Sequence, residues 1–157
     1  MYVAFTAPHW PWEAPDATGE AESERLRSQN RPLSAYDAGT QATYRRMVEA
    51  MDTQIGRVLK TLDDQKLTNN TIVIFTSDNG PWLTYGNHAG SSGGLREGKG
   101  TTWDGGVRVP CIMRWPGTIP AGTTSDQMLM TIDLLPTIAR RIDAELPKHK
   151  IDGLDVW

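Results

Sequence analysis

Thr71-Ile72-Val73-Ile74-Phe75-Thr76-Ser77-Asp78-Asn79-Gly80 is the stretch on which the fold turns. Its first six residues are apolar or β-branched without alternation, the pattern of a parallel strand covered on both faces. The four that follow are turn formers, and Asp and Asn can bond their own backbone there. Upstream, Tyr44, Met47, Val48, Met51, Ile55, Val58, Leu59 and Leu62 recur at three- and four-residue spacing. That spacing predicts one apolar stripe on a long amphipathic helix over about residues 36–63, with its methionines as core packing. Ser34 and Asp37 form its entry, a capping box with Asp in place of Glu, and Asn69-Asn70 breaks the chain beyond it. A helix feeding a buried strand is the αβ half of a βαβ unit, so the fold class is α/β.

Outward from this core, Tyr2-Val3-Ala4-Phe5-Thr6 is a short apolar run stopped at Ala7-Pro8 and reads as a buried strand already under way at the first residue. Residues 8–34 are rich in proline, charge and small polar side chains and predict a long excursion. Residues 77–107 are glycine-rich and aperiodic; a loop of that length inside a compact domain is usually functional. Val109-Pro110-Cys111-Ile112-Met113-Arg114-Trp115 predicts another strand, in which Cys111 is a small buried hydrophobe. Thr131 or Asp133 can cap a last helix running to about Arg141.

Composition excludes several classes. The net charge is −3 with both signs mixed along the chain, which lacks the basic patch or stripe of a nucleic-acid binder. No apolar run approaches the ~20 residues that span a bilayer. A single cysteine excludes an internal disulfide framework.

In open α/β sheets ligands bind beyond the carboxyl ends of the strands. Three polar groups follow such ends here: His9, the pair Asp78-Asn79, and Lys99 in the long loop. Asp78 and Asn79 offer hard oxygen donors suited to calcium or magnesium. His9 can donate a proton or bond an oxyanion, and Lys99 supplies a compact positive charge for a tetrahedral anion. Each has an ordinary reading when taken singly: a turn, a packed histidine, a solvated lysine. Together they define an α/β domain with a candidate oxyanion-binding edge.

Longer motifs narrow this. Ala7-Pro8-His9-Trp10-Pro11, Thr76-Ser77-Asp78-Asn79-Gly80-Pro81 and Leu95-Arg96-Glu97-Gly98-Lys99-Gly100-Thr101-Thr102-Trp103-Asp104-Gly105-Gly106-Val107-Arg108-Val109-Pro110 together resemble the sulfatase family, in its order. Trp115-Pro116-Gly117, Ile119-Pro120 and Asp133-Leu134-Leu135-Pro136-Thr137-Ile138 resemble it too. The resemblance implies an alkaline-phosphatase-like sandwich with a mostly parallel central sheet flanked by helices, and it reads residues 1–157 as one partial catalytic domain. It implies that Asp78 and Asn79 are calcium ligands, and that Lys99 contacts both the sulfate and the leaving oxygen. It implies that His9 steadies or protonates that oxygen. His88, in Asn87-His88-Ala89-Gly90, sits in a loop that could face substrate. The substrate implied is a sulfate-ester small molecule or a sulfated carbohydrate, and Trp10, Trp12, Trp82 and Tyr85 are candidates to stack on its ring.

In the family the nucleophile is a formylglycine made from Cys or Ser in a motif with Pro two residues on and Arg four on. Cys111 is followed by Ile112, Met113, Arg114 and Trp115 and does not fit, and no serine starts the pattern. The family's first pair of metal-binding aspartates has no match either, because Asp63-Asp64 read as a solvated helix end. The chain is therefore expected to be a fragment, inactive alone, with an exposed sheet edge inviting self-association. Two alternatives stay open: a phosphonate or phosphodiester hydrolase fragment of the same superfamily, and a non-catalytic anion-binding or complementing module.

Overall fold

The computed structural model describes residues 1–9, 41–84 and 90–157. Helix α1 spans Gln41–Asp64. Its apolar stripe forms as expected: Met47 is buried, and Tyr44, Val48, Met51, Ile55, Val58, Leu59 and Leu62 are half-buried, while Arg45, Glu49, Asp52 and Lys60 face solvent. On the wet side Arg45 pairs with Glu49 at 3.0 Å and Lys60 with Asp64 at 2.7 Å, one turn apart, each pair worth about 0.3–0.5 kcal/mol. The helix stops in a Schellman motif: Leu67 N donates to Leu62 O at 2.8 Å and Lys66 N to Asp63 O at 3.0 Å, with Lys66 left-handed at φ 58°. These bonds satisfy carbonyls that the helix end would otherwise orphan. The Ser34–Asp37 entry lies outside the described residues.

A one-turn 3-10 segment, Thr68–Asn70, leads into strand β1, Val73–Thr76. Strand β2, Cys111–Arg114, pairs with it in the register Val73 to Arg114 and Thr76 to Cys111. Two contacts tie the end of β2 to the end of α1: Arg114 lies 3.7 Å from Asp63, and Trp115 Nε1 donates to Asn69 O at 3.2 Å.

The α/β class holds, with three differences in detail. The described strand pair is antiparallel, whereas the apolar run of 71–76 predicts parallel neighbours. A parallel return needs a crossover, usually a helix, and among the described residues between these strands the α-helix is α2, the four residues Asp104–Val107. Residues 2–6 form no strand, and Tyr2 is 93% exposed; an apolar run without a hydrogen-bonded neighbour has no ladder to join. Instead Phe5, Thr6 and Ala7 line a cavity of about 190 Å³ with Met47, Ala50, Met51 and Gln54 of α1. Cys111 does stand in a strand but is exposed rather than buried, because among the described elements β2 contacts β1 alone and no layer covers its faces; Ile112 beside it is exposed too.

The chain divides into two compact units, Met1–Ile119 and Pro120–Trp157. In the second, a 3-10 turn, Thr131–Asp133, runs into helix α3, Leu134–Arg141. The buried Asp133 carboxylate accepts the N–H groups of Met130 at 2.8 Å and Leu154 at 2.9 Å. Thr137 Oγ1 donates to Leu154 O and accepts from Val156 N, and Arg140 and Arg141 meet Asp155 at 3.2 and 4.0 Å. A C-terminal strap is thereby laid along α3.

The bonds from Leu154 and Met130, in that order, hold the Asp133 carboxyl below the usual carboxylate range. A depressed folded-state pKa stabilises the fold fully above the unfolded value of about 3.9 and is lost as pH falls through the folded value. Acidification below about pH 4 is therefore expected to loosen the strap. In Asp133→Ala at neutral pH, which removes both acceptor oxygens, the Leu154 amide is expected to exchange hydrogen as fast as an unprotected one. An exchange rate at Leu154 equal to wild type in the variant would contradict this account.

Candidate functional site

Three segments of the first unit build the site. Thr76 ends β1, and the chain turns through Ser77-Asp78-Asn79-Gly80. Ser77 Oγ donates to Asn79 O at 2.9 Å, and Asn79 Nδ2 donates to Gly80 O at 2.9 Å. With its nitrogen so engaged, the Asn79 amide has its oxygen left for an ion. Asp78 is exposed.

The glycine-rich loop folds back on this turn. Gly80 N donates to Gly106 O at 2.9 Å, Lys99 N to Pro81 O at 2.8 Å and Gly105 N to Arg96 O at 2.8 Å. Two glycines permit the closeness. Gly98 and Gly105 are both buried; a Cβ on Gly98 would overlap the Pro81 carbonyl, and one on Gly105 would overlap the Glu97 and Arg96 carbonyls. Just before Gly98, Glu97 is held left-handed at φ 61°, which costs a non-glycine residue roughly 1–2 kcal/mol. The Arg96 guanidinium caps the wound loop, stacked 3.6 Å from the Trp103 ring centroid. That pair, and the glycine contacts, were invisible to motif reading, although both partners sit inside the long quoted block.

The N-terminal segment supplies the third part. A turn closed by His9 N donating to Thr6 O at 2.7 Å presents an exposed imidazole. His9 Nε2 lies 3.2 Å from Lys99 Nζ, although 90 residues separate them in the chain. The same ammonium lies 5.8 Å from the Trp82 ring centroid.

Thus His9 and Lys99 meet through their side chains, and Lys99 is tied through its backbone to Pro81, two residues beyond Asn79. His88, Trp10, Trp12 and Tyr85 lie outside the described residues. For a metal, Asp78 and Asn79 present one carboxylate and one amide oxygen, a hard donor set that fits calcium or magnesium, which take about six or more oxygens. Among the described residues there is no group of three or more His, Cys, Asp or Glu side chains placed to hold an ion. Among the described residues, too, no helix is long and apolar enough to cross a membrane.

A family model described as Sulfatase matches residues 1–144. The chain belongs to the sulfatase family. It is 45% identical over 115 residues to steryl-sulfatase of Rattus norvegicus, covering 69% of this chain and 20% of that protein. It is 43% identical over 106 residues to arylsulfatase A of Homo sapiens, covering 68% and 21%. The crystal structure of Ps i-CgsB in complex with k-i-k-neocarrahexaose superposes with a TM-score of 0.75 at 32% identity, over 96% of this chain and 31% of that one. This chain therefore spans about a fifth of the length of the curated sulfatases it matches. The alkaline-phosphatase-like, sulfatase-type α/β architecture follows from the likeness to the solved structure, of which the described elements are a part.

Proposed function

We propose that this chain carries one face of a calcium-assisted sulfuric-ester hydrolase site, with Lys99 and His9 on the sulfate and Asp78 and Asn79 on the metal. The observation that carries the reading is the 3.2 Å approach of Lys99 Nζ to His9 Nε2. An ammonium donates and cannot accept, so Lys99 Nζ can only be the donor in this contact. Further N–H bonds of Nζ remain for oxygens of a sulfate ester. As the bridging S–O bond breaks, negative charge grows on the leaving oxygen, and a fixed cation beside it lowers the barrier. The same contact keeps His9 beside Lys99, the position from which an imidazole steadies or protonates that oxygen. A calcium ion on the Asp78 and Asn79 oxygens would offset charge on the non-bridging sulfate oxygens.

The nucleophile is not assigned to any residue of this chain. Cys111 stands in β2 without the Pro and Arg of the formylglycine motif. The 157 residues alone are expected to turn over no ester. The substrate class is a sulfate ester of a small molecule or a carbohydrate, a reading supported by the neocarrahexaose complex of the structural relative. The exposed Cys111 and Ile112 edge of β2 also favours self-association by strand addition.

The test is a sulfate titration of the chain with and without calcium, following the His9 imidazole by NMR. Sulfate is expected to shift the His9 signal, and calcium to tighten sulfate binding. Asp78→Ala is expected to cancel the calcium effect, and 4-nitrophenyl sulfate hydrolysis to stay at background. A His9 signal indifferent to sulfate overturns the site, and turnover above background overturns the placing of the nucleophile outside these residues.

A further inference from the structure

Trp82 stands beside the proposed sulfate site for a reason built into the backbone. It directly follows Pro81, whose carbonyl accepts both the Lys99 N–H at 2.8 Å and the Leu83 N–H at 3.1 Å. The indole and the Lys99 side chain therefore leave the main chain from two points joined by one hydrogen bond. Gly98 makes that bond possible, since a side chain there would collide with the Pro81 carbonyl and with Leu83. The outcome is a lysine ammonium 5.8 Å from the Trp82 centroid and 3.2 Å from the imidazole of His9. Cation–π attraction reaches to about 6 Å, so the ring also restrains where Nζ rests.

Trp82 as a whole is 37% exposed. A tryptophan needed only for packing buries its rings, whereas this one keeps accessible surface next to a cation. A flat, apolar surface that close to the group binding an ester oxygen has an evident ligand: the ring carried by that same oxygen. Aromatic rings stack on indole, and the C–H face of a sugar ring meets it in the same way.

We propose that Trp82 is a specificity residue, the platform on which the ring of a cyclic sulfate ester stacks while Lys99 and His9 hold the sulfate. This rests on the reading of Lys99 and His9 as sulfate-binding groups. An acyclic alkyl sulfate would gain little from the platform, and inorganic sulfate nothing. The stacking favours any ring ester, and the relative size of the gain for an aryl and a sugar ester tells the two sources apart.

The experiment measures dissociation constants of the chain for inorganic sulfate, 4-nitrophenyl sulfate and glucosamine 6-sulfate, in wild type, Trp82→Ala, Trp82→Phe and Lys99→Ala. Wild type is expected to prefer at least one ring ester over inorganic sulfate by roughly 3- to 10-fold, the range of an aromatic contact. Trp82→Ala is expected to erase that preference while leaving inorganic sulfate binding within about twofold, and Trp82→Phe to restore much of it. Lys99→Ala is expected to weaken all three ligands. If inorganic sulfate does not bind wild type, the sulfate site itself falls and the platform with it. If sulfate binds through Lys99 and the ring preference survives Trp82→Ala, the platform alone is overturned. Equal weakening of all three ligands by both Trp82 variants also overturns it, since that marks a packing role.

Discussion

Gly105→Ala is expected to open the loop that carries Lys99 and to separate its ammonium from His9. The added Cβ would fall on the carbonyl oxygens of Glu97 and Arg96, and backbone atoms have no rotamer by which to give way. The Gly105 N–H is itself bonded to Arg96 O at 2.8 Å, so the clash and the lost bond act at the same point. Overpacking at a buried position costs about 1–3 kcal/mol. A loop that already holds Glu97 left-handed has little reserve against it. The measurement is amide hydrogen exchange: protection at Lys99 and Gly105 should fall to loop rates while α1 amides stay as in wild type. Gly56→Ala is the matched control. It lies in α1 with open space around its Cβ position, so the same chemical change should stabilise by roughly 0.5–1 kcal/mol. Retained protection at Lys99 in the Gly105 variant would mean that the close approach does not hold the loop.

What the sequence made legible follows from how far along the chain each signal reaches. The stripe from Tyr44 to Leu62 recurs within one turn of helix, so periodicity found α1 and missed its end by a single residue. The stop itself is a Schellman turn with Lys66 left-handed, where glycine would be the usual cue. The pairing of β1 with β2 depends on what stands beside each strand, and the apolar composition of 71–76 is compatible with either direction. Tyr2 to Phe5 have strand composition but no ladder, and Cys111 has a strand but no cover. Both misreadings come from taking residue type as evidence of neighbours. The approach of His9 to Lys99 spans 90 residues, beyond any local period. Position beyond a strand end singled out each residue and the family motifs gave the two a shared role, but neither gave a hint of the Pro81 carbonyl, the stacked Arg96 and Trp103 or the two crowded glycines that hold the pair.

Lys99→Ala is expected to weaken sulfate binding to this chain by about 10- to 100-fold, the measure of a charge-assisted hydrogen bond of about 1.5–3 kcal/mol. The lower part of that range is favoured at high ionic strength, because Lys99 is only half-buried and salt screens such a charge. His9→Ala removes a neutral partner and should cost less, about fivefold for roughly 1 kcal/mol. The informative quantity is the double variant. Nε2 holds Nζ at 3.2 Å, so His9→Ala also frees the Lys99 side chain to leave the position in which it meets the anion. Part of the His9 effect therefore passes through Lys99 and cannot be lost twice. The double variant should bind sulfate about two- to fivefold more tightly than the product of the two single losses predicts, a coupling of about 0.5–1 kcal/mol, within the range for residues in contact. Strict additivity would show that the two side chains meet the anion independently, and that their contact in the free protein is without consequence for binding.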